Sequence, residues 1–119
     1  MAAEFARVYE EATGCPVTII GGDGWLAGLV AMRATGRPSV LFDGNFAISP
    51  WITRERVDRE GLLAVWQVGS DPAMVASLAA LPRFADMGTQ EFAWPYGRDR
   101  PPLAIGWGVI APLERTGCR

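Results

Sequence analysis

Val17-Thr18-Ile19-Ile20-Gly21-Gly22-Asp23-Gly24-Trp25-Leu26-Ala27 decides the class of this chain. The β-branched run Val17 to Ile20 closes on two glycines, the pattern of a short buried strand. Trp25 to Thr35 follows, apolar almost all round with Arg33 as its single charge, and stops at Gly36 with Pro38 two residues beyond. That pattern predicts a largely buried helix. An apolar strand that turns through glycines into a buried helix is the unit from which parallel sheets are assembled.

Working outward, Phe5, Val8 and Ala12 share a helical face opposite Glu4, Arg7, Glu10 and Glu11, and Gly14 and Pro16 end that helix. Ser39 to Phe42 is a second apolar strand, closed by the turn-forming Asp43-Gly44-Asn45. After a long loop to Trp51, Thr53 caps a charged helix through Glu60, with Ile52 and Val57 spaced as a hydrophobic staple and Gly61 just past its end. Leu62 to Val68 is the third strand. Asp71 and Pro72 then start a helix carrying Met74, Val75, Leu78 and Leu81, which Pro82 ends. Phe84 to Trp94 and Leu103 to Ile110 are joined by Pro95 to Pro102 without a helix, so they should pair antiparallel. In the last strand Leu103, Ile105, Trp107 and Val109 form a bulky face, while Ala104, Gly106 and Gly108 leave the other face flat enough for a closely packed element. The expected architecture is α/β: one domain over residues 1–119, a three-layer sandwich of about five strands, the first three mostly parallel and Rossmann-like, the last two an antiparallel ribbon.

Composition narrows the chemistry. The 119 residues, half of them hydrophobic, are enough to bury a core. There is no histidine, and all eleven basic residues are arginine. Catalysis through a histidine base, a Schiff-base lysine or a P-loop lysine is therefore excluded. A net charge of −2 gives no basic field for nucleic acid. The most apolar stretch, Leu103 to Leu113, is too short to cross a bilayer, and the N-terminal residues carry Glu4 where a secretory signal has basic residues. Read alone, the chain would be cytosolic.

Gly22-Asp23-Gly24-Trp25-Leu26-Ala27 matches G-x-G-x-x-A, with Asp43 about twenty residues on. Asp23, however, would place a negative charge inside a phosphate-binding loop, so a tight βα turn is the preferred reading. Asp23 and Asp43 close adjacent predicted strands, at the carboxyl edge where open α/β sheets take ligands. With Asn45 they could form an oxygen site for a hard cation, but a cap at Asp23 and a turn at Asp43 explain both residues. Trp25, Trp51, Trp66, Trp94 and Trp107 are many for this length; core or interface anchors are the preferred reading, and if any stacks on a sugar, Trp51 in its Pro-Trp loop is the best exposed candidate. Arg54, Arg56 and Arg59 alternate with acids and read as a solvated face. Cys15 and Cys118, near the two ends, could pair in an oxidising compartment, yet two separate thiols are the preferred reading, and neither has a histidine or lysine to activate it.

Five segments in order carry a resemblance: VTIIGGDGWLA (Val17 to Ala27), RPSVLFD (Arg37 to Asp43), Ser49-Pro50-Trp51, GLLAVW (Gly61 to Trp66) and IGWGVIAP (Ile105 to Pro112). This set resembles the soluble C-terminal domain of bacterial membrane glycosyltransferases of family 39, the dolichyl-phosphate-mannose-protein mannosyltransferase-like group. Ala31 to Gly36 departs from the pattern, being less aromatic and less polar. The resemblance implies a GT-C type parent with many membrane helices that transfers sugar from a polyprenyl-phosphate carrier on the extracytoplasmic side. This chain would be its periplasmic domain, with the membrane part of the same chain as partner and a lipid-linked sugar or acceptor reached through it. The family's catalytic acid lies outside this stretch, so no catalytic residue is carried over, and no cofactor or metal is expected. The candidate ligand or interface surface is Asp23, Trp25, Asp43, Asn45 and Trp51.

Overall fold

A computed structural model describes residues 2–92, 102–115 and 118. Helix α1 spans Ala2–Thr13, followed by β1 Ile19–Gly22, α2 Gly24–Arg33, β2 Ser39–Phe42, α3 Arg54–Glu60, β3 Leu62–Gln67, α4 Pro72–Ala79, β4 Ala85–Phe92 and β5 Leu103–Ile110. The five strands form one mixed sheet in the order β2-β1-β3-β5-β4. β1 pairs parallel with both β2 and β3, and β5 pairs antiparallel with both β3 and β4. Trp94 and residues 95–101 of the connection between β4 and β5 lie outside the described residues.

The first strand is displaced from its expected position. Gly21 and Gly22 do not close β1 but belong to it, aligned with Leu41 and Phe42 on one side and Ala64 and Val65 on the other. Gly22 has φ +140°, and a β-carbon there would collide with the Val65 carbonyl oxygen. Only glycine lets the chain pass so close to β3 and still turn into α2.

Side chains alternate between two cores, as the two-residue period of a strand requires. Ile20, Leu63, Val65, Ile105, Trp107 and Val109 pack with Phe5 and Tyr9 of α1 and Leu26 and Val30 of α2. Ile19, Leu41, Leu62, Ala64, Trp66 and Ile110 pack with Val57 of α3 and Met74 and Leu78 of α4. The staple forms, with Ile52 and Val57 both buried, and the Thr53 hydroxyl accepts from the Arg56 amide at 3.1 Å. α4 ends at Ala79, two residues short of Leu81.

The flat face of β5 is filled from within. A β-carbon on Gly106 would meet the Trp66 indole, and one on Gly108 would meet the Phe84 ring. Gly106 and Gly108 are therefore covered from within the fold. β4 at the sheet edge is largely exposed, and its ladder is interrupted between Asp86 and Gly88. Such a bulge discourages pairing with another chain.

Two readings of polar residues are corrected. Cys15 and Cys118 are joined in a disulfide across 103 residues. The chain end reaches Cys15 because residues 113–115 are held in place: the Leu113 and Glu114 amides donate to Asp58 and Arg59 carbonyls at 3.0 Å, and Arg115 donates to the Thr13 carbonyl. Arg56 is not simply solvated. It pairs with Glu60 at 2.7 Å and donates to the Ser39 hydroxyl at 3.1 Å, tying α3 to β2.

Tyr9 is fully buried, and its hydroxyl donates to the Ile110 carbonyl at 3.3 Å. Burial pushes this phenol up to about 12, against the smaller lowering effects of Thr13 and Arg115. The folded state therefore holds the proton more tightly than the unfolded state.

Three outcomes are expected. Gly108→Leu should destabilise the fold by about 1–3 kcal/mol or more, measured by thermal melting, because the Phe84 ring and the Ala85 carbonyl must both shift to admit the side chain. Reduction, or Cys15→Ser with Cys118→Ser, should cost about 4–5 kcal/mol and lower Tm by about 15–20 °C. The Tyr9 contribution is complete below pH 10 and should fall by about 2–3 kcal/mol as pH rises to 12. Denaturant titrations of wild type and Tyr9→Phe should differ in this alkaline slope.

Candidate functional site at the carboxyl edge

The parallel strands β2, β1 and β3 end side by side, and the residues that follow them meet at one edge of the sheet. They divide according to where the next helix packs. α2, after β1, joins the Phe5–Tyr9 core, whereas α4, after β3, joins the opposite core. Asp23 consequently goes with α2. Its carboxylate accepts from the Trp25 amide at 2.9 Å and the Leu26 amide at 3.1 Å, a standard helix cap. These are amides that a pyrophosphate on the G-x-G-x-x-A loop would need. The loop is thus closed by its own acid, and Gly22 serves the approach to β3 rather than a ligand.

Asp43 and Asn45 sit in a turn on the α4 side. The Asn45 amide donates to the Phe42 carbonyl at 2.9 Å, and the Asn45 side-chain oxygen accepts from the Ala47 amide at 2.9 Å. Asp43 has φ 55°, a left-handed conformation that Asp tolerates better than most residues. Its carboxylate accepts no hydrogen bond from a described residue. Between this turn and α4 runs a groove of about 500 Å³, lined by Asp43, Asn45, Phe46, Arg54, Asp71 and Ser77 above Met74 and Leu81. Its walls come from the segment after β2 and from α4 after β3, with Arg54 of α3 at the rim. The Arg54 guanidinium lies 4.6 Å from the Phe46 ring centroid.

Trp25 and Trp51 are 64% and 55% exposed but do not line this groove. The loop carrying Trp51 is anchored by Ser49, fully buried, whose hydroxyl accepts from the Phe42 amide at 3.1 Å and covers the outer edge of β2. Of the five candidate residues the groove therefore unites Asp43 and Asn45 and omits Asp23, Trp25 and Trp51. It adds Phe46, Arg54, Asp71 and Ser77. Asp71 was within reach of sequence reasoning, since it follows the third parallel strand as Asp23 and Asp43 follow the first two. It also caps α4, accepting from the Met74 amide at 3.1 Å.

Comparison with protein-family models, curated proteins and solved structures finds no match in any of the three. The site must speak through its own chemistry. The groove offers carboxylates, an amide, a hydroxyl and a guanidinium, and the chain has no histidine, lysine or free described thiol to add to them. No cluster of three or more potential metal ligands occurs among the described residues. No helix among them is long and apolar enough to cross a membrane. The set is suited to holding and orienting a polar molecule.

Asp23→Ala should lower stability by about 1 kcal/mol through loss of the cap, whereas Asp43→Asn should leave it within about 0.5 kcal/mol. Chemical denaturation of the two variants checks this contrast, and calorimetric titration of wild type with NAD or ATP should show no heat of specific binding.

Proposed function

We propose that this chain is an extracytoplasmic accessory domain of a polyprenyl-phosphate-sugar-dependent membrane glycosyltransferase. It is non-catalytic by itself and uses the carboxyl-edge groove to help position the sugar acceptor. In this reading the fold is a three-layer, Rossmann-like sandwich ending in an antiparallel ribbon. It rests on the membrane part of its own parent chain, on the periplasmic side, and uses no cofactor. The observation that carries the compartment is the Cys15–Cys118 disulfide, since such bonds persist in oxidising environments and are rare in the cytosol. The segments that resemble the family 39 domains supply β1 with the first turn of α2, β2, and most of β3 and β5. They thus supply four of the five strands of the sheet.

The position of the groove at the carboxyl edge supports this role. In open α/β sheets ligands lie beyond the carboxyl ends of strands, where successive connections leave toward opposite faces. Here β1 and β3 are adjacent, and their following helices pack in different cores.

Two experiments test the proposal. The reading frame upstream of Met1 should encode a series of apolar segments of about 20 residues each; a stop codon directly upstream would remove the reading. In the full-length enzyme, Asp43→Asn combined with Asn45→Ala should raise KM for the acceptor about tenfold, near 1.4 kcal/mol, with kcat little changed. Unaltered transfer would eliminate the positioning role.

A further inference from the structure

We infer that the groove between the Asp43–Ala47 turn and α4 binds a neutral saccharide through its hydroxyl groups. This names the ligand chemistry of the site and rests on reading the groove as an acceptor-positioning surface. Its volume of about 500 Å³ lies within the roughly 300–1,000 Å³ usual for small-ligand sites.

The lining selects among ligand classes. Two carboxylates, Asp43 and Asp71, repel a phosphate or another anion, and Arg54 at the same rim opposes a cation. Met74 and Leu81 add apolar surface on which the C–H face of a sugar ring can pack. The remaining polar capacity matches hydroxyl groups in both directions. Asp43 has no described hydrogen-bond donor and so can accept from two hydroxyls. Asp71 uses one oxygen for the Met74 amide, which leaves the other. Asn45 commits its oxygen to Ala47, so its NH₂ group faces outward as donor. Ser77 donates to the Ala73 carbonyl at 3.0 Å and keeps its lone pairs for a ligand hydroxyl. Arg54 is held against Phe46 and donates to hydroxyl or ring oxygens.

The test is NMR titration of the oxidised 119-residue chain with maltose, cellobiose, chitobiose and mannobiose, with inorganic phosphate and Ca²⁺ as charged probes. At least one disaccharide should shift the amides of Asn45, Ala47, Arg54 and Ser77, with Kd on the order of 1–10 mM, as suits an open site with few hydrogen bonds. Asp43→Asn, which keeps the left-handed turn, should weaken that binding about tenfold, and Asp86→Asn on β4 should not. No shift with any disaccharide overturns the inference, as does an equal response in Asp43→Asn or binding of phosphate or Ca²⁺ alone. If saccharides fail to bind yet the full-length Asp43 variant still loses transfer, the positioning role stands and the saccharide does not. Saccharide binding with unaltered transfer keeps the saccharide site and removes the positioning role.

Discussion

The approach of Gly22 to the backbone of Val65 is the contact on which the carboxyl edge depends. A side chain at residue 22 would have to occupy the space of the Val65 carbonyl, so β1 could not stay paired with β3 to its last residue. The strand would end earlier, and α2 could not begin at Gly24 with Asp23 as its cap. The position of β1 also sets the distance between the ends of β2 and β3, because it separates them in the sheet. The groove lies between the turn after β2 and the helix after β3. A backbone contact with no side chain of its own thus determines where the polar residues of the edge can meet.

The opposite edge is organised by long-range polar ties. Tyr9 reaches the carbonyl of Ile110, Arg115 reaches Thr13, and Cys15 is bonded to Cys118. Each joins the start of the chain to its last strand or the segment after it. Contacts so distant in sequence carry a large loop-closure cost, and the disulfide lowers it by constraining the unfolded chain. The covalent tie and the polar ties therefore support one another: once the disulfide holds the ends together, the carbonyls of Thr13 and Ile110 find their donors at little further entropic cost.

How legible all this was depends on the range of the interaction. The five-stranded mixed sheet and its four helices follow from local signals: apolar runs, the caps at Thr53 and Asp71, Pro72 at the start of α4, and the β5 alternation. Ser39–Phe42 and Leu103–Ile110 coincide with the expected strands to the residue. Gly21 and Gly22 misled because glycine usually ends a strand, and only the proximity of Val65 gives Gly22 a reason to continue one. The disulfide stayed undecided for a related reason: Cys15 and Cys118 could pair, but spacing along a chain does not say whether they meet. At the site, Asp43 and Asn45 were legible from their place after β2. Phe46, Arg54 and Ser77 were not, since they come from a loop and two helices that only the packing of α3 and α4 brings together. The resemblance to family 39 domains finds no support among known proteins, so it stands as a proposal.

The acids of the carboxyl edge also show how one residue type serves two purposes. Every helix that begins there needs acceptors for its first amides, and Asp23 and Asp71 supply them. Asp43 precedes no helix. It occupies a left-handed position, its carboxylate meets no donor among the described residues, and it borders the groove. A turn alone could be built with Asn or Gly at that position, without adding a second negative charge to a rim that already carries Asp71. Among the described residues the charge has no hydrogen-bond donor, and that is the observation on which the proposed hydroxyl-binding role rests.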